Sequence, residues 1–277
     1  PDDVKLVHEI MSEEGRRVPV IAKIEKPEAV ARLDEIVSAF DALMVARGDL
    51  GVELPLEQVP LVQKHAVQLC REQAKPVIVA TQMLDSMVHA PAPTRAEASD
   101  VATAVYDGAD AVMLSAESAS GQYPIEAVTM MTNIIVQTEA DPQYRDSVEA
   151  FRTPPRAVVA DAIEAAVRTV AGILHVAATV AYTSSGYSAL RLARERPEAP
   201  IIGMTPNIET ARRMALYWGV HAVVTEDVRH VSEMTKCACK TALEEGFAHS
   251  GETIAIAAGV PFGRPGTTNL LHVAQVP

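Results

Sequence analysis

Five side chains recur at one kind of place, where a short apolar run gives way to polar residues. Lys23 and Glu25 close the run 18–25, Asp49 follows the run 42–46, Thr81 ends 75–82, and Glu117 lies just past 109–115, beside Ser115. Runs that are apolar throughout read as strands buried on both faces. Glu25 and Asp49 are hard oxygen donors of the kind Mg2+ accepts together with phosphate oxygens and water. Lys23, two residues before Glu25, shares its face by strand periodicity. An ammonium beside a cation site suits charge developing on a phosphoryl oxygen or an enolate. Any one of these residues could serve in a Lys–carboxylate ion pair closing a rim. Five in one layer favour a shared site.

The stretch Gly48-Asp49-Leu50-Gly51 adds backbone to that layer. Its two glycines are expected to let the chain turn tightly and bring bare amides close to a ligand. Gly-Asp is also an ordinary turn pair, so a plain turn stays open.

The elements that must position these groups alternate. A helix through Met11, capped by Pro1-Asp2-Asp3, puts Val4, Val7, Ile10 and Met11 on one side. Amphipathic segments follow at 28–40 (Val30, Leu33, Ile36 and Val37 inward), 55–73, within 91–107, and at 124–139. Helix follows strand four times, always with polar residues at the strand's C-terminal end, which is how half of a (β/α)8 TIM barrel reads. Residues 141–156 are polar and proline-bearing, so the domains are expected at 1–153 and 154–277. Beyond the boundary, helices at 160–175, 186–196, 208–218 and 230–246 interleave with strands at 178–183, 200–205, 221–224, 252–258 and 269–275. That predicts an α/β chain whose half-barrel is followed by an open α/β C-terminal domain. The half-barrel's outer strands, 18–24 and 111–115, are then edges that another segment or copy must cover.

In the second domain, Thr183-Ser184-Ser185-Gly186-Tyr187-Ser188 follows a strand and opens a helix. Hydroxyls and amides there make an anion site, or merely a Ser N-cap.

Composition narrows the function. Hydrophobic residues make up 48% and aromatics 4%, a mix that suits helices packed on parallel sheets. Residues 1–153 carry 13 Lys+Arg against 25 Asp+Glu, while 154–277 carry 11 of each. No basic stripe exists to bind nucleic acid. No apolar run spans a bilayer and no leader opens the chain, so a cytoplasmic protein without a membrane partner is expected. Cys70, Cys237 and Cys239 have neither disulfide nor metal spacing and read as reduced and structural. The eight histidines show no ligand spacing. Tyr217, Trp218 and Met130-Met131 read as packing.

Several long ordered motifs together resemble pyruvate kinase. They are Val20-Ile-Ala-Lys-Ile-Glu-Lys-Pro-Glu-Ala-Val30, Val45-Ala-Arg-Gly-Asp-Leu-Gly-Val-Glu53, Ala80-Thr-Gln-Met-Leu-Asp-Ser-Met87 and Pro93-Thr-Arg-Ala-Glu97. Ser99-Asp100-Val101-Ala102 and Asp107-Gly-Ala-Asp110 continue the likeness, which runs along the whole chain. The resemblance implies phosphoryl transfer from phosphoenolpyruvate to ADP, giving pyruvate and ATP, as the last step of glycolysis. It implies that Glu25 and Asp49 hold Mg2+ (or Mn2+) and that Lys23 stabilises the transferring group. The amides of Gly48 and Asp49 would hold the substrate carboxylate. Thr81 would lie by the enolate, with Ser115 and Glu117 in the surrounding network. It further implies a phosphorylated allosteric effector on Thr183, Ser184, Ser185, Gly186 and Ser188, closed over by the loop 259–269 with Arg264, and a homotetramer formed through 93–107 and the second domain. Where the family has Ser-Gly-Glu-Thr-Ala, this chain has Ser115-Ala-Glu-Ser-Ala119. Only the last four barrel strands are matched. The first half, with a catalytic arginine, the K+ ligands and much of the nucleotide site, is expected elsewhere. The chain alone is therefore expected to be catalytically silent. Two alternatives stand beside this: a fragment keeping only effector binding and subunit contacts, or a metal-dependent lyase of a related phosphoenolpyruvate-handling barrel.

Overall fold

Uninterrupted Val, Ile, Leu and Ala runs can satisfy their backbone only by pairing with like runs, and can lose water only beneath helices on the sheet. The computed structural model, which describes residues 1–264 and 266–277, resolves this into two compact units, Pro1–Arg152 and Thr153–Pro277. Pro265, inside the predicted closing loop, lies outside the described residues.

The first unit is built on β1 (Ile21–Ile24), β2 (Ala42–Ala46), β3 (Val77–Ala80) and β4 (Ala111–Met113). They form a parallel sheet in sequence order, with β1 and β4 at its edges. Leu43, Val45, Val77 and Val79 pack with Ala66, Val67 and Cys70 of the helix Val59–Gln73 and with Val101 and Ala104 of the helix Arg95–Asp107. Ala22 and Ile24 join this core, which leaves Ile21 and Lys23 exposed on the other face of β1. The helix Arg95–Asp107 starts at a Thr94–Glu97 capping box and stops at Gly108, whose φ of 96° ends it.

Three expectations are corrected here. Asp2 does not cap the helix Asp3–Glu13; its carboxylate pairs with Lys5 and Arg32, and only Val4 of that helix is buried. The segment 28–40 is two helices, Pro27–Ala31 and Leu33–Ala39, broken at Arg32. The polar stretch 141–156 contains the helix Pro142–Ala150, capped by Asp141 through Gln143 N at 2.8 Å. Tyr144 and Val148 of that helix are buried against Val105.

The second unit has β5 (Ala178–Tyr182), β6 (Ile201–Thr205), β7 (Val220–Val224), β8 (Thr253–Ala258) and β9 (Leu270–Gln275) in the order β7-β6-β5-β8-β9. All pairs are parallel except β8 with β9, so this sheet is mixed. Helices cover both faces, and β5 and β6 are buried along their whole length. All three cysteines are free, with Cys70 and Cys239 buried. Among the described residues no helix is long and apolar enough to cross a membrane.

Candidate functional site

β1 and β2 run parallel with Lys23 beside Met44, so their C-terminal ends lie side by side. That register brings together the three charged residues expected to converge. Lys23 Nζ lies 2.6 Å from Glu25 Oε2 and 2.9 Å from Asp49 Oδ2. Those hydrogen bonds, Glu25's first and Asp49's second, raise the Lys23 pKa, so the ammonium stays charged. All three side chains are substantially open to solvent. Two carboxylates that reach one ammonium can also converge on one hard cation, whose other positions water and ligand oxygens would fill. The donor set thus fits Mg2+ (or Mn2+) as a shared site completed by a ligand. Among the described residues no group of three His, Cys, Asp or Glu forms a complete metal cage.

Residues after β2 do not turn as expected. Arg47–Glu53 is a short helix, and Gly48 and Gly51 do not adopt positive φ. Near the site, positive φ falls instead on Thr81 (66°) and Gln82 (53°), just past β3. Glycine at 48 serves close approach instead. Gly48 N donates to Thr81 Oγ1 at 2.7 Å, and a Cβ at this position would lie 3.3 Å from that oxygen. The Gly48 amide expected to face a substrate carboxylate is thus held by the Thr81 hydroxyl, which itself donates to Ala80 O.

Two consecutive non-glycine residues in the left-handed region cost energy that neighbouring contacts must offset. Arg47, 8% exposed, supplies those contacts. Its Nη2 donates to Thr81 O at 3.0 Å and to Gln82 O at 3.2 Å, while Nη1 pairs with Asp100 at 2.6 Å. Sequence reasoning missed Arg47. The available signal was a lone arginine directly after an apolar strand, where a charge must either reach solvent or find buried acceptors.

Glu117 is 1% exposed and does not join the Lys23 group. Its Oε1 accepts from Leu84 N at 3.2 Å and its Oε2 from Ser115 N at 2.7 Å, tying the segments after β3 and β4 together. Ala116 opens the helix Ala116–Ala119 without positive φ, so Ala in place of Gly there carries no strain.

In the second unit, the N-cap of the helix Tyr187–Glu195 is Gly186 at φ 84°, which corrects the Ser N-cap alternative. Thr183 Oγ1 accepts from Gly186 N at 3.0 Å and shapes the turn. Thr183, Ser184, Ser185 and Ser188 line a cleft of about 150 Å3 with Arg264, so both predicted loops meet there. Tyr182 and Asp227 line it too. Burial first, and Asp227's charge after it, push the Tyr182 phenol up to about 12, so it stays neutral and donates to Asp227.

Residues 1–128 match the family model described as pyruvate kinase, barrel domain, and residues 161–274 match pyruvate kinase, alpha/beta domain. A protein named pyruvate kinase from Methylorubrum extorquens is 52% identical over 276 residues, covering 100% of this chain and 57% of that protein. One of the same name from Mycobacterium intracellulare is 50% identical over 276 residues, covering 100% and 58%. A third, from Corynebacterium glutamicum, is 50% identical over 273 residues, covering 99% and 56%. The chain spans somewhat more than half the length of the curated relatives it matches.

Proposed function

The chain belongs to the pyruvate kinase family, and on that premise we propose that it takes part in phosphoryl transfer from phosphoenolpyruvate to ADP, giving pyruvate and ATP. The observation that carries the reading is the Lys23 ammonium held between the Glu25 and Asp49 carboxylates. Phosphoryl transfer demands little covalent chemistry of a protein and much positioning of charge. The bond from phosphorus to the enol oxygen breaks, an ADP oxygen takes the phosphoryl group, and the enolate carbon takes a proton. Lys23 offsets the negative charge on the moving group and on the enolate oxygen. The amides of Gly48 and Asp49 orient the carboxylate, Gly48 exchanging its present acceptor, Thr81 Oγ1, for a carboxylate oxygen. Thr81, pre-set by Arg47, places its hydroxyl where a proton can be relayed to the enolate. Ser115 and Glu117 act by fixing the segments after β3 and β4. A Mg2+ (or Mn2+) on Glu25 and Asp49 would supply Lewis-acid neutralisation of phosphoryl oxygens.

K+ dependence, a cytoplasmic location and a homotetramer formed through 93–107 and the second unit belong to the same proposal. So does a phosphorylated effector on Thr183, Ser184, Ser185, Gly186, Ser188 and Arg264, which the shared cleft favours. The test is an assay with phosphoenolpyruvate, ADP, Mg2+ and K+, pyruvate being detected by a coupled dehydrogenase. A pyruvate kinase of full family length carrying this sequence is expected to turn over. The 277-residue chain alone, which spans 57% of the Methylorubrum relative, is expected to be silent. No pyruvate from the longer protein would overturn the assignment, and full turnover by the 277-residue chain would overturn its silence.

A further inference from the structure

The second unit buries an unusual amount of charge. Asp161, fully buried on the helix Val159–Leu174, faces three guanidiniums. Arg156 Nε lies 3.2 Å from it, Arg194 Nη1 lies 3.0 Å away, and Arg191 Nη1 is paired with its other oxygen. Glu195 answers Arg194 at 2.7 Å. The remaining carboxyl, Glu164, is buried with neither oxygen hydrogen-bonded, and burial raises its pKa well above the usual range. Three guanidiniums, those of Arg156, Arg191 and Arg194, thus share two carboxylates, Asp161 and Glu195.

Arg191 is 6% exposed and hydrogen-bonds through Nη1 alone; its Nε has no acceptor. Burial first, then repulsion from Arg156 and Arg194, lowers its pKa to about 10. Buried cations that outnumber their carboxylate partners are costly. Arg156 and Arg191 both line a cavity of about 480 Å3, which adjoins the cleft at Ser185 and Arg264 at Gly266 and Thr267, residues that line both. Its wall is apolar at Val158, Val159 and Ala160 and carries Tyr187, whose ring sits 4.4 Å from the Arg191 guanidinium carbon. It is polar at Thr267, Thr268 and Asn269, and the Thr267 hydroxyl is committed to Arg264 O. The hydrogen bond between Ser188 and Thr268, at 2.6 Å, occupies the hydroxyl that Thr268 could offer a ligand. Asn269 is likewise committed, to the backbone of Val260. The arginines are thus the groups available for recognition, and they ask for an oxyanion.

We propose that this cavity is a second anion site, which takes a small organic phosphate with its phosphate on Arg156 and Arg191 and its apolar body against Val158, Val159 and Tyr187. The probe is phenyl phosphate, titrated calorimetrically into the 277-residue chain, with inorganic phosphate as comparator. Wild type is expected to bind one equivalent, more tightly than inorganic phosphate. R156Q is expected to weaken binding by about tenfold or more, the scale of one lost charge-assisted hydrogen bond. Arg156 is half exposed, so this variant should fold. R191K, which keeps the charge but loses the fork, is expected to weaken binding similarly. R264Q, altered in the other cleft, is expected to bind as wild type does. No saturable binding by wild type, or R156Q binding as wild type does, overturns the proposal. Loss on R264Q with R156Q unaffected also overturns it and moves the ligand to the other cleft. Equal affinity for inorganic phosphate overturns the organic half. Binding is read without turnover, so none of these outcomes depends on the phosphotransfer assignment.

Discussion

Glu164 should make the second unit lose stability as pH rises. It sits fully buried on the helix Val159–Leu174 with no hydrogen bond to either oxygen. Burial chiefly, and the nearby Glu195 charge next, raise its pKa well above that of a free carboxyl, against a smaller opposing effect of Arg194. In the unfolded chain it ionises near the ordinary value of about 4.3. Because the folded pKa is the higher one, the stability this group contributes is fully present below the unfolded pKa. It is lost as pH rises toward the folded pKa. Across that window the folded state holds one more proton, so stability falls by about 1.4 kcal/mol per pH unit from this group. The loss accumulates over every pH unit between the unfolded and the folded pKa. E164Q is neutral in both states and has no such slope. Trp218, the one tryptophan, stacks under Arg196 in the same unit and reports its unfolding. Urea titrations followed by Trp218 fluorescence at several pH values should show E164Q gaining on wild type at about that rate. Parallel pH curves for the two proteins would refute the reasoning and would mean that Glu164 is ionised and compensated in the fold.

Three other outcomes follow from the geometry. Lys23→Met in the longer enzyme should cost about 10²- to 10³-fold in turnover, the scale of losing one preorganised cationic donor, with an unchanged far-UV circular dichroism spectrum; turnover within twofold of wild type removes Lys23 from the chemistry. Gly48→Ala, which sets a methyl 3.3 Å from Thr81 Oγ1, should destabilise by about 1–3 kcal/mol in urea, and an unshifted midpoint would mean that the 48–81 contact yields freely. Glu97→Ala should cost about 0.5–2 kcal/mol through loss of the Thr94 capping box. Burial alone would raise the Glu97 pKa, but hydrogen bonds from Ser86 and Thr94 outweigh it and hold the carboxyl below its usual value. Its contribution is therefore present above the unfolded pKa and lost as pH falls through the folded one, so the wild-type advantage over E97A should vanish in acid.

Strand positions were legible because β2 and β3 are buried along nearly their whole length, and such strands must be written almost entirely in apolar residues. The convergence of Lys23, Glu25 and Asp49 was legible for the same reason, since parallel neighbours bring their C-terminal ends together. The helix Pro142–Ala150 was not, because it buries only Tyr144 and Val148 and is otherwise polar. The backbone around the site misled in a different way. Glycines at 48 and 51 suggested a tight turn, yet the left-handed conformations fall on Thr81 and Gln82, residues with no local preference for them. Arg47 makes those conformations tenable from the helix after β2, and such a long-range contact leaves no periodicity to read.

The bond from Gly48 to Thr81, with Arg47 bridging to Asp100, also has a meaning for descent. A side chain at 48 must come with a smaller or displaced group at 81, because the two lie in direct contact. An exchange at 47 unpairs the carboxylate at 100 and frees two carbonyls at once. Single steps at these positions pass through a damaged intermediate, whereas paired steps need not. Over long divergence the four positions should be inherited as one character, changing together or not at all.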